Sequence, residues 1–339
     1  MSKDNLIEKM LPAIENQLKI VVARSCENDD NTRGLHDMMT YQMGWSGEGA
    51  GLAARGKRIR PLLVLLTTAA SGGEWEIALP AAAAVELIHN FSLIHDDIED
   101  QSFTRRGRPT LWTTHGIAQA INTGDAMFTL AHLSMLDLEA FLPSSIVLDT
   151  IGILQRTCLE LTQGQYLDIS YENRDDLSLA DYWPMIDGKT AALLGACTKI
   201  GSKIAGAESQ TSEHYFTFGI SLGKAFQVQD DILGIWGDVA KTGKSSASDL
   251  ITGKKSLPVL YGLERGDAFA KRWLQGPISA AKVYEIATQL EVEGGKSFAQ
   301  EAAFKLTNQA LNALEAAKPR GEAGVALLSL SEQLLGRQS

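Results

Sequence analysis

The sequence is poor in cysteine and has no excess of basic charge, and each shortage argues against a class of protein. Its three cysteines, Cys26, Cys158 and Cys197, are odd in number and far apart, unlike a disulfide framework or a zinc site. The formal net charge of -10 argues against a nucleic-acid-binding protein, because the phosphate backbone requires a basic protein face. We therefore expect a protein of a reducing compartment, with the cytoplasm as the default.

Long apolar runs and an export signal are also missing. The alanine-rich run at residues 81–84 is followed so closely by Glu86, His89 and Asp96 that it is too short to span a bilayer. Residues 1–5 do not show the charged and then apolar pattern of a signal peptide. These absences predict no stable insertion into a membrane.

Strand signals are scarce, whereas helix-favouring residues fill most of the chain. No Asn-Gly or Asp-Gly turn separates two runs of alternating apolar and polar residues. Helix-favouring stretches cover roughly residues 77–101, 116–140, 145–170, 179–205, 209–235, 298–317 and 322–335. We predict an all-α fold, a single large helical bundle over residues 1–339 around a deep central cavity.

Two segments interrupt the helical pattern. Residues 1–50 are predicted to form an N-terminal helix followed by an irregular arm, because glycine and polar residues gather between Glu27 and Gly49. The lysine-bearing stretch 236–256 is predicted to be an active-site lid, since a loop of about 20 residues inside a compact domain is usually functional. A merely solvated connector is the alternative.

Two acidic motifs end apolar helical stretches. Asp96-Asp97 with Asp100 closes the first stretch, and Asp230-Asp231 closes the second. Residues four apart lie on one helix face, about 6 Å apart along the axis, so Asp96 and Asp100 can share a cluster of cations. Oxygen ligands without a nearby cysteine favour Mg²⁺, which combines a few carboxylates with phosphate oxygens of a substrate. A solvated acidic helix end is the alternative.

Basic residues gather beside the first acidic motif although the chain is acidic overall. Arg105, Arg106 and Arg108 follow the motif, and the basic segment from Lys57 to Arg60 precedes a proline at a helix start. Arginines match phosphate oxygens in geometry and stay charged, so the pattern favours a diphosphate bridged by metal. Ordinary surface salt bridges are the alternative for these arginines.

Two single residues on predicted helices remain ambiguous. His89 lies on an apolar helix and is equally a satisfied core residue or a ligand of an anion. Lys189 lies among Ala, Leu and Gly, where it either reaches solvent at the end of its stem or reaches an anion in a cavity.

In their order along the chain, these motifs resemble those of the trans-polyprenyl diphosphate synthases, short-chain enzymes of the class I isoprenoid synthase fold. The resemblance extends from about residue 56 to 263, through motifs at residues 56–61, 86–89, 96–107, 124–126, 164–168, 188–190, 226–231, 242–244 and 249–254. It implies the all-α isoprenoid synthase fold and an enzyme that condenses isopentenyl diphosphate with allylic diphosphates. It also implies a homodimer and about three Mg²⁺ ions per active site.

The resemblance assigns roles to residues at the matching positions. Candidate metal ligands are Asp96, Asp100, Asp230 and Asp231, with Asp97 and Asp231 in supporting positions. Candidate contacts of the allylic substrate are Arg105, Lys189, Thr190, Gln227, Lys244 and Lys254. Candidate contacts of isopentenyl diphosphate are Lys57, Arg60, His89 and Arg106. Gln165 and Asp168 are expected behind the metal ligands, and the residues expected to act in catalysis are Asp96, Asp97, Asp100, Arg105, Lys189 and Asp230.

The implied reaction begins with ionisation of the allylic C–O bond. Metal ions and cationic side chains stabilise the charge that builds on the departing pyrophosphate in a site without water. The double bond of isopentenyl diphosphate then attacks, and the released pyrophosphate takes the proton, since no side chain in the motifs is an obvious strong base. The lid is expected to close over the diphosphates.

The second acidic motif departs from the family pattern at Gly234. The family usually has a third aspartate at this position, and here Asp238 follows four residues later. The departure concerns the metal geometry around the second motif and not the reaction, because Asp230 is the position expected to touch metal.

Phe91 and Ser92, five and four residues before Asp96, are predicted to set the product length. One aromatic and one small residue resemble the pattern of archaeal-type geranylgeranyl (C20) synthases. One type of farnesyl (C15) synthase has two aromatic residues there. We expect a C20 product, with C15 or C25 as alternatives.

Three other functions are compatible with parts of this pattern. A terpene cyclase would share the metal site but would not need the cationic residues that hold isopentenyl diphosphate. A head-to-head synthase usually carries different acidic motifs. A noncatalytic subunit of a heteromeric synthase tends to lose one acidic motif. In this chain only Gly234 suggests such a loss.

Overall fold

The stretches predicted as helical are helical almost throughout the computed structural model, which describes residues 3–26, 30–237 and 247–335. The prediction of an all-α fold is confirmed. The first helices are α1 (Lys3–Ala23), α2 (Arg33–Gln42), α3 (Leu52–Arg55), α4 (Ile59–Ala70), α5 (Leu79–Glu99), α6 (Leu111–His115), α7 (Ile117–Leu136) and α8 (Ser144–Glu172), with 3₁₀ turns at Asp30–Thr32, Trp75–Ala78 and Asp137–Ala140. The others are α9 (Leu179–Ile186), α10 (Ala192–Ile204), α11 (Ser209–Trp236), α12 (Ser248–Thr252), α13 (Leu257–Arg265), α14 (Ala268–Trp273), α15 (Val283–Val292), α16 (Gly295–Ala316) and α17 (Gly321–Leu335).

The chain divides into two compact units. The first unit comprises Met1–Gln155, Cys197–Ser212 and Pro319–Leu327, and the second unit comprises Arg156–Ala196, Glu213–Lys318 and Leu328–Ser339. The first acidic motif belongs to the first unit and the second acidic motif to the second unit. The prediction of a single domain over residues 1–339 stays a prediction.

Helix α5 forms the centre of the first unit. Every residue from Pro80 to Ile88 is buried, and α7, α4 and α1 pack around the helix. The alanines at residues 81–84 allow the neighbouring backbones to approach closely. Among the described residues, Trp75–Glu99 is the one stretch long and apolar enough to cross a membrane, but 72% of its most apolar window is buried, as expected of a core helix.

Two apolar clusters form the core of the second unit. In one, Ile235 of α11 packs with Phe269 of α14 and Leu290 of α15. In the other, Tyr182 of α9 and Val228 of α11 pack with residues of α13 and α16. The second cluster therefore fixes the acidic end of α11 against α9 and α13.

A short β-hairpin follows the first acidic motif, which the sequence reasoning did not predict. Strand β1 (Thr104–Arg105) pairs antiparallel with β2 (Arg108–Pro109), and Arg105 is opposite Arg108. The two turn residues have positive φ angles, 52° at Arg106 and 74° at Gly107, as a type I′ turn requires. Because arginine stands at the first turn position in place of the usual asparagine or aspartate, the sequence pattern gives no sign of this hairpin.

The predicted continuous helix over residues 179–205 contains a π-helical turn at Asp187–Ala191, between α9 and α10. Such a turn widens the helix by one residue and is frequent at functional sites. Here the turn carries Lys189 and Thr190, two of the predicted substrate contacts.

The predicted arm and lid are covered only in part. Helix α2 lies within the segment expected to be an irregular arm, and residues 27–29 lie outside the described residues. The expected lid begins at the end of α11 and includes α12. Lys244 and Asp238 lie outside the described residues, so their predicted roles stay predictions.

Candidate active site

The first acidic motif occupies the last turn of α5, and its three carboxylates differ in burial. Asp97 is only 2% exposed and accepts a hydrogen bond from Arg105 Nε at 2.8 Å. Burial raises the pKa of Asp97, although the neighbouring Arg105 acts in the opposite direction. Asp96 is half-buried and Asp100 is exposed. Asp96 and Asp100 therefore present carboxylate oxygens at the surface of the unit, whereas Asp97 ties the helix to the β-hairpin.

The hairpin arginines divide into a surface pair and a buried one. Arg106 donates from Nη1 to the carbonyl of Ala54 at 2.9 Å, and its guanidinium lies against Gly56, where a Cβ would come within 2.7 Å of Arg106 Nη2. Gly56 also has a φ angle of 76°, a conformation that favours glycine at this point. Arg105 and Arg106 lie together beside the first motif, as predicted.

Arg108 has a structural role. It is 7% exposed and donates hydrogen bonds to the carbonyl oxygens of Tyr41, Ser46 and Glu48 at 2.6–2.9 Å. Its guanidinium also lies 3.9 Å from the centre of the Tyr41 ring. Arg108 thus fixes the segment after α2 to the hairpin that carries the other two arginines.

The basic segment before α4 also contains side chains with two different roles. Arg58 stabilises the fold, whereas Lys57 and Arg60 could meet an anionic ligand. Arg58 is buried and forms ion pairs with Glu15 at 2.6 Å and Glu86 at 2.7 Å. Lys57 is exposed. Arg60 is half-buried, and its Nε is a buried donor without a hydrogen-bond partner among the described residues. A buried donor of this kind is costly unless an acceptor, such as a phosphate oxygen, reaches it.

His89 lies in an electropositive environment on α5. Burial lowers its pKa well below 6.5, and Arg60, Arg106 and Arg105 lower it further. The imidazole is therefore neutral at neutral pH. His89 thus lies in the positive field of four arginines, Arg58 among them, and such a field favours an anion.

The second acidic motif ends α11 in the second unit, and again its second carboxylate is the buried one. Asp231 is 1% exposed, and its two oxygens accept hydrogen bonds from Gln227, Lys254, Tyr182 and the Leu257 backbone N–H. Asp230 is half-buried. The two predicted roles of Asp231, as a metal ligand and as a support for its neighbours, both stay predictions.

Lys254 and Lys255 have different partners. Lys254 Nζ lies 3.1 Å from Asp231 Oδ1 and 3.7 Å from Asp249 Oδ2, and these carboxylates raise its pKa. Lys255 Nζ donates to the carbonyl oxygens of Tyr171 at 2.8 Å and Glu172 at 2.9 Å, which satisfies the C-terminal end of α8. Lys255 therefore anchors the segment that presents Lys254.

Lys189 and Thr190 are held by neighbours on α8 and α11. Lys189 forms an ion pair with Asp168, and Thr190 donates to Gln227 Oε1 at 3.0 Å. Gly164 of α8 packs directly on the π-helical turn, where a Cβ on Gly188 would lie 2.9 Å from the Gly164 backbone nitrogen. This contact brings α8 close enough for Asp168 to reach Lys189.

Gly234, at the departure from the family pattern, faces a carboxylate from another helix. A Cβ on Gly234 would lie 2.7 Å from Asp249 Oδ1, and Asp249 belongs to α12. Asp249 therefore occupies the space that a side chain at residue 234 would need. Sequence reasoning gave Asp249 and Tyr182 no role, and only the position of Asp249 within the motif at residues 249–254 offered a signal.

Phe91 belongs to a row of aromatic rings between α5 and α7. Its ring centre lies 4.7 Å from that of His95 and 5.0 Å from that of Phe128, and Phe128 lies 4.4 Å from His132. Ser92 donates from its hydroxyl to the His89 carbonyl at 3.0 Å. The residue predicted to set product length is therefore packed against a second phenylalanine.

Each unit brings one subset of the predicted residues together. Within the parts of the chain that are described, no three or more His, Cys, Asp or Glu side chains converge as a ready metal site. The carboxylate oxygens of Asp96 and Asp100 in the first unit, and of Asp230 in the second unit, are nevertheless of the type that suits Mg²⁺, which completes its coordination with waters and substrate phosphates. The donor set thus fits a metal that arrives with a phosphorylated ligand.

Comparisons with known proteins agree on one family. The family model described as Polyprenyl synthetase matches residues 50–290. A geranylgeranyl diphosphate synthase of Mycobacterium tuberculosis is 37% identical over 311 residues, which is 90% of this chain and 87% of that protein. A (2E,6E)-farnesyl diphosphate synthase of the same organism is 35% identical over 315 residues, with the same coverage. The crystal structure of a polyprenyl synthetase from Streptomyces coelicolor A3(2) superposes with a TM-score of 0.86, 33% identity and 97% and 98% coverage of the two chains.

Proposed function

The chain belongs to the polyprenyl synthetase family and is a prenyltransferase with the isoprenoid synthase fold, and we propose that it condenses isopentenyl diphosphate with allylic diphosphates to all-trans geranylgeranyl diphosphate. The observation that carries this proposal is that each unit places aspartate carboxylates beside cationic side chains. Asp96 and Asp100 lie beside Arg105 and Arg106 in the first unit. Asp230 lies beside the network of Lys254 and Asp231 in the second unit.

Mg²⁺ is the cofactor in this proposal. Asp96, Asp100 and Asp230 would hold it, because their oxygens are half-buried or exposed and of the type that Mg²⁺ prefers. When bound, the metal supplies charge stabilisation for the departing pyrophosphate. Asp97 and Asp231 would act behind these ligands, since each accepts hydrogen bonds from side chains of its own unit.

The chain's own cations would do the remaining work on the two diphosphates. The allylic diphosphate would be bound by Arg105, Lys189, Thr190, Gln227, Lys244 and Lys254. Isopentenyl diphosphate would be bound by Lys57, Arg60, His89 and Arg106. The unpartnered Nε of Arg60 and the neutral, arginine-surrounded His89 support the second assignment. The proton would leave to the released pyrophosphate.

Product length differs among the relatives of this chain. Two relatives of similar identity make products of different length, one farnesyl and one geranylgeranyl diphosphate. We propose the C20 product because Phe91 has the small Ser92 beside it in sequence and is packed against Phe128. A second bulky residue in place of Ser92 would favour a shorter product.

The direct test is chain-length analysis of the product. The purified chain is incubated with labelled isopentenyl diphosphate and either a C5, C10 or C15 allylic diphosphate, and the products are separated after removal of the diphosphate. We expect a C20 product from all three primers. A product consistently longer than C25 would contradict the role given to Phe91, and a final C15 product would show that the chain is a farnesyl diphosphate synthase.

A matched pair of variants links the activity to the first acidic motif. Asp96→Ala should abolish product formation, whereas Asp149→Ala should not change it, because Asp149 is exposed on α8.

We also propose a cytoplasmic homodimer. Mass determination of the purified chain in solution tests the dimer. A monomer with full activity would overturn that part alone.

A further inference from the structure

The two oxygens of Asp231 have different kinds of partner. Oδ1 accepts from two predicted substrate contacts, Gln227 Nε2 at 3.0 Å and Lys254 Nζ at 3.1 Å. Oδ2 accepts from the Tyr182 hydroxyl at 2.7 Å and from the Leu257 backbone N–H at 3.1 Å. One edge of the carboxylate therefore faces the substrate contacts, and the other edge faces the protein interior.

This arrangement fully satisfies Asp231. A carboxylate offers about four acceptor positions, and four donors meet a side chain that is 1% exposed. The donors on Oδ2 come from rigid parts, α9 for Tyr182 and the first turn of α13 for Leu257. They fix the plane of the carboxylate, and the plane decides where Oδ1 can hold its partners.

The bonds extend beyond Asp231 to the π-helical turn. The Thr190 hydroxyl donates to Gln227 Oε1 at 3.0 Å. The orientation of the Asp231 carboxylate therefore affects the position of Thr190 as well as that of Lys254. Tyr182 itself is 1% exposed and has its ring against Trp183 at 5.2 Å. It lies inside the core of the second unit, and its hydroxyl donates to Asp231.

We propose that Tyr182 is a positioning residue for diphosphate binding, which acts through Asp231 to hold Lys254 and Gln227. The inference rests on the proposed function, because it takes these two residues as contacts of the allylic diphosphate.

The test is calorimetric titration of the full chain with inorganic pyrophosphate in the presence of Mg²⁺. Tyr182→Phe removes one donor from Asp231 Oδ2 and leaves the ring in place. We expect pyrophosphate to bind about tenfold more weakly, because Asp231 no longer holds Lys254 and Gln227 in one orientation. The KM for the allylic diphosphate should rise with it, while kcat changes less. Tyr215→Phe is the matched control, because Tyr215 is also fully buried on α11, and it should leave the affinity unchanged.

A double-variant cycle separates positioning from general loosening of the fold. In a Lys254→Met background, adding Tyr182→Phe should weaken pyrophosphate binding by less than about threefold further, since Lys254 is already gone and only Gln227 is still positioned through Tyr182. If the double variant lost pyrophosphate affinity by the product of the two single losses, the inference would be overturned. An unchanged affinity in folded Tyr182→Phe would overturn it as well. Tyr182→Met serves as a second variant, and failure of both to fold would show that the hydroxyl supports the fold alone and would also overturn it.

The outcome also separates this inference from the proposed function. A wild-type chain that binds no pyrophosphate and forms no product would contradict the proposed function itself. A wild-type chain that binds and reacts, with the same affinity in Tyr182→Phe, would contradict only the role of Tyr182.

Discussion

Neighbouring aspartates in each acidic motif have different environments. Asp97 and Asp231 are 2% and 1% exposed, and each accepts hydrogen bonds from basic side chains of its own unit. Asp96 and Asp230, one residue earlier, are half-buried. Because successive helical residues point about 100° apart, a doubled aspartate places one carboxylate in the interior and the other at the surface. The sequence reveals the doubling, but only the packing decides which carboxylate is buried.

The buried carboxylate of the first motif should matter for stability. Asp97→Ala leaves the Arg105 guanidinium without its carboxylate partner, which is expected to lower the free energy of unfolding by about 1–3 kcal/mol. Urea denaturation measures the difference. Asp149→Ala is the control and should stay within about 0.5 kcal/mol of the wild type. Equal stability of the two variants would mean that the Asp97–Arg105 bond contributes nothing to the fold.

His89 gives the stability a defined pH dependence. Its pKa in the folded chain lies well below the ordinary 6.5, so as the pH falls through 6.5 the unfolded chain takes up a proton that the folded chain does not. The stability that comes from a neutral His89 is therefore complete above about pH 7 and is lost progressively towards lower pH. Denaturation between pH 7.5 and about 5.5 should show a smaller slope in His89→Gln than in the wild type. Identical slopes would show that His89 titrates normally.

At the scale of elements, two glycines decide how the π-helical turn sits on α8. A Cβ on Gly164 would overlap the Lys189 backbone nitrogen, and Gly188 meets the Gly164 backbone from the other side. Backbone contact at this point aligns Asp168 with Lys189. The predicted helix over residues 179–205 gave no sign of the extra residue, because its apolar pattern continues through the π turn.

Gly164→Ala should therefore disturb the second unit. We expect a loss of about 1–3 kcal/mol in the free energy of unfolding, as for overpacking of a tight contact, with a higher KM for the allylic substrate. Gly34→Ala in α2 is the control, since its Cβ would meet nothing within 4 Å and should be neutral or stabilising by up to about 1 kcal/mol. An unchanged stability of Gly164→Ala would mean that the two helices separate without cost.

Sequence patterns were enough to predict the long helices and the breaks between them. They were not enough for the β-hairpin, whose turn begins with Arg106 in a left-handed conformation that glycine or asparagine usually adopts. They also gave no sign of Tyr182, because a tyrosine in an apolar helix looks like any core residue until its partner is known. Arg58 forms buried ion pairs and Arg108 donates to backbone carbonyls. Both roles depend on tertiary contacts that the sequence pattern does not show.

At the scale of the whole molecule, acidic and basic groups concentrate around the two motifs although the chain carries a net charge of -10. The first unit contains Asp96, Asp100 and two arginines, and the second unit contains Asp230 and two lysines. The family's order of motifs along the chain made the reaction predictable from the sequence. Product length was less predictable, since it depends on the bulk of a few side chains in a cavity.

Phe91 is the residue expected to limit the product of the whole enzyme. Phe91→Ala removes a ring that packs on Phe128 and should shift the product towards chains at least one C5 unit longer. Reversed-phase analysis of the dephosphorylated products measures the shift. Phe141→Ala, at an exposed phenylalanine of the first unit, should leave the distribution unchanged. An unchanged distribution in Phe91→Ala would place the floor of the cavity at another residue.

We propose that this chain alone joins isopentenyl diphosphate to an allylic diphosphate. The most direct measurement is incorporation of labelled isopentenyl diphosphate by the purified chain with each substrate omitted in turn, and with Mg²⁺ removed by chelation and then restored. We predict product only when both substrates and Mg²⁺ are present. Conversion of the allylic diphosphate without isopentenyl diphosphate would identify a cyclase. No product under any condition would identify a noncatalytic subunit. Either result would contradict the proposed condensation of the two substrates by this chain.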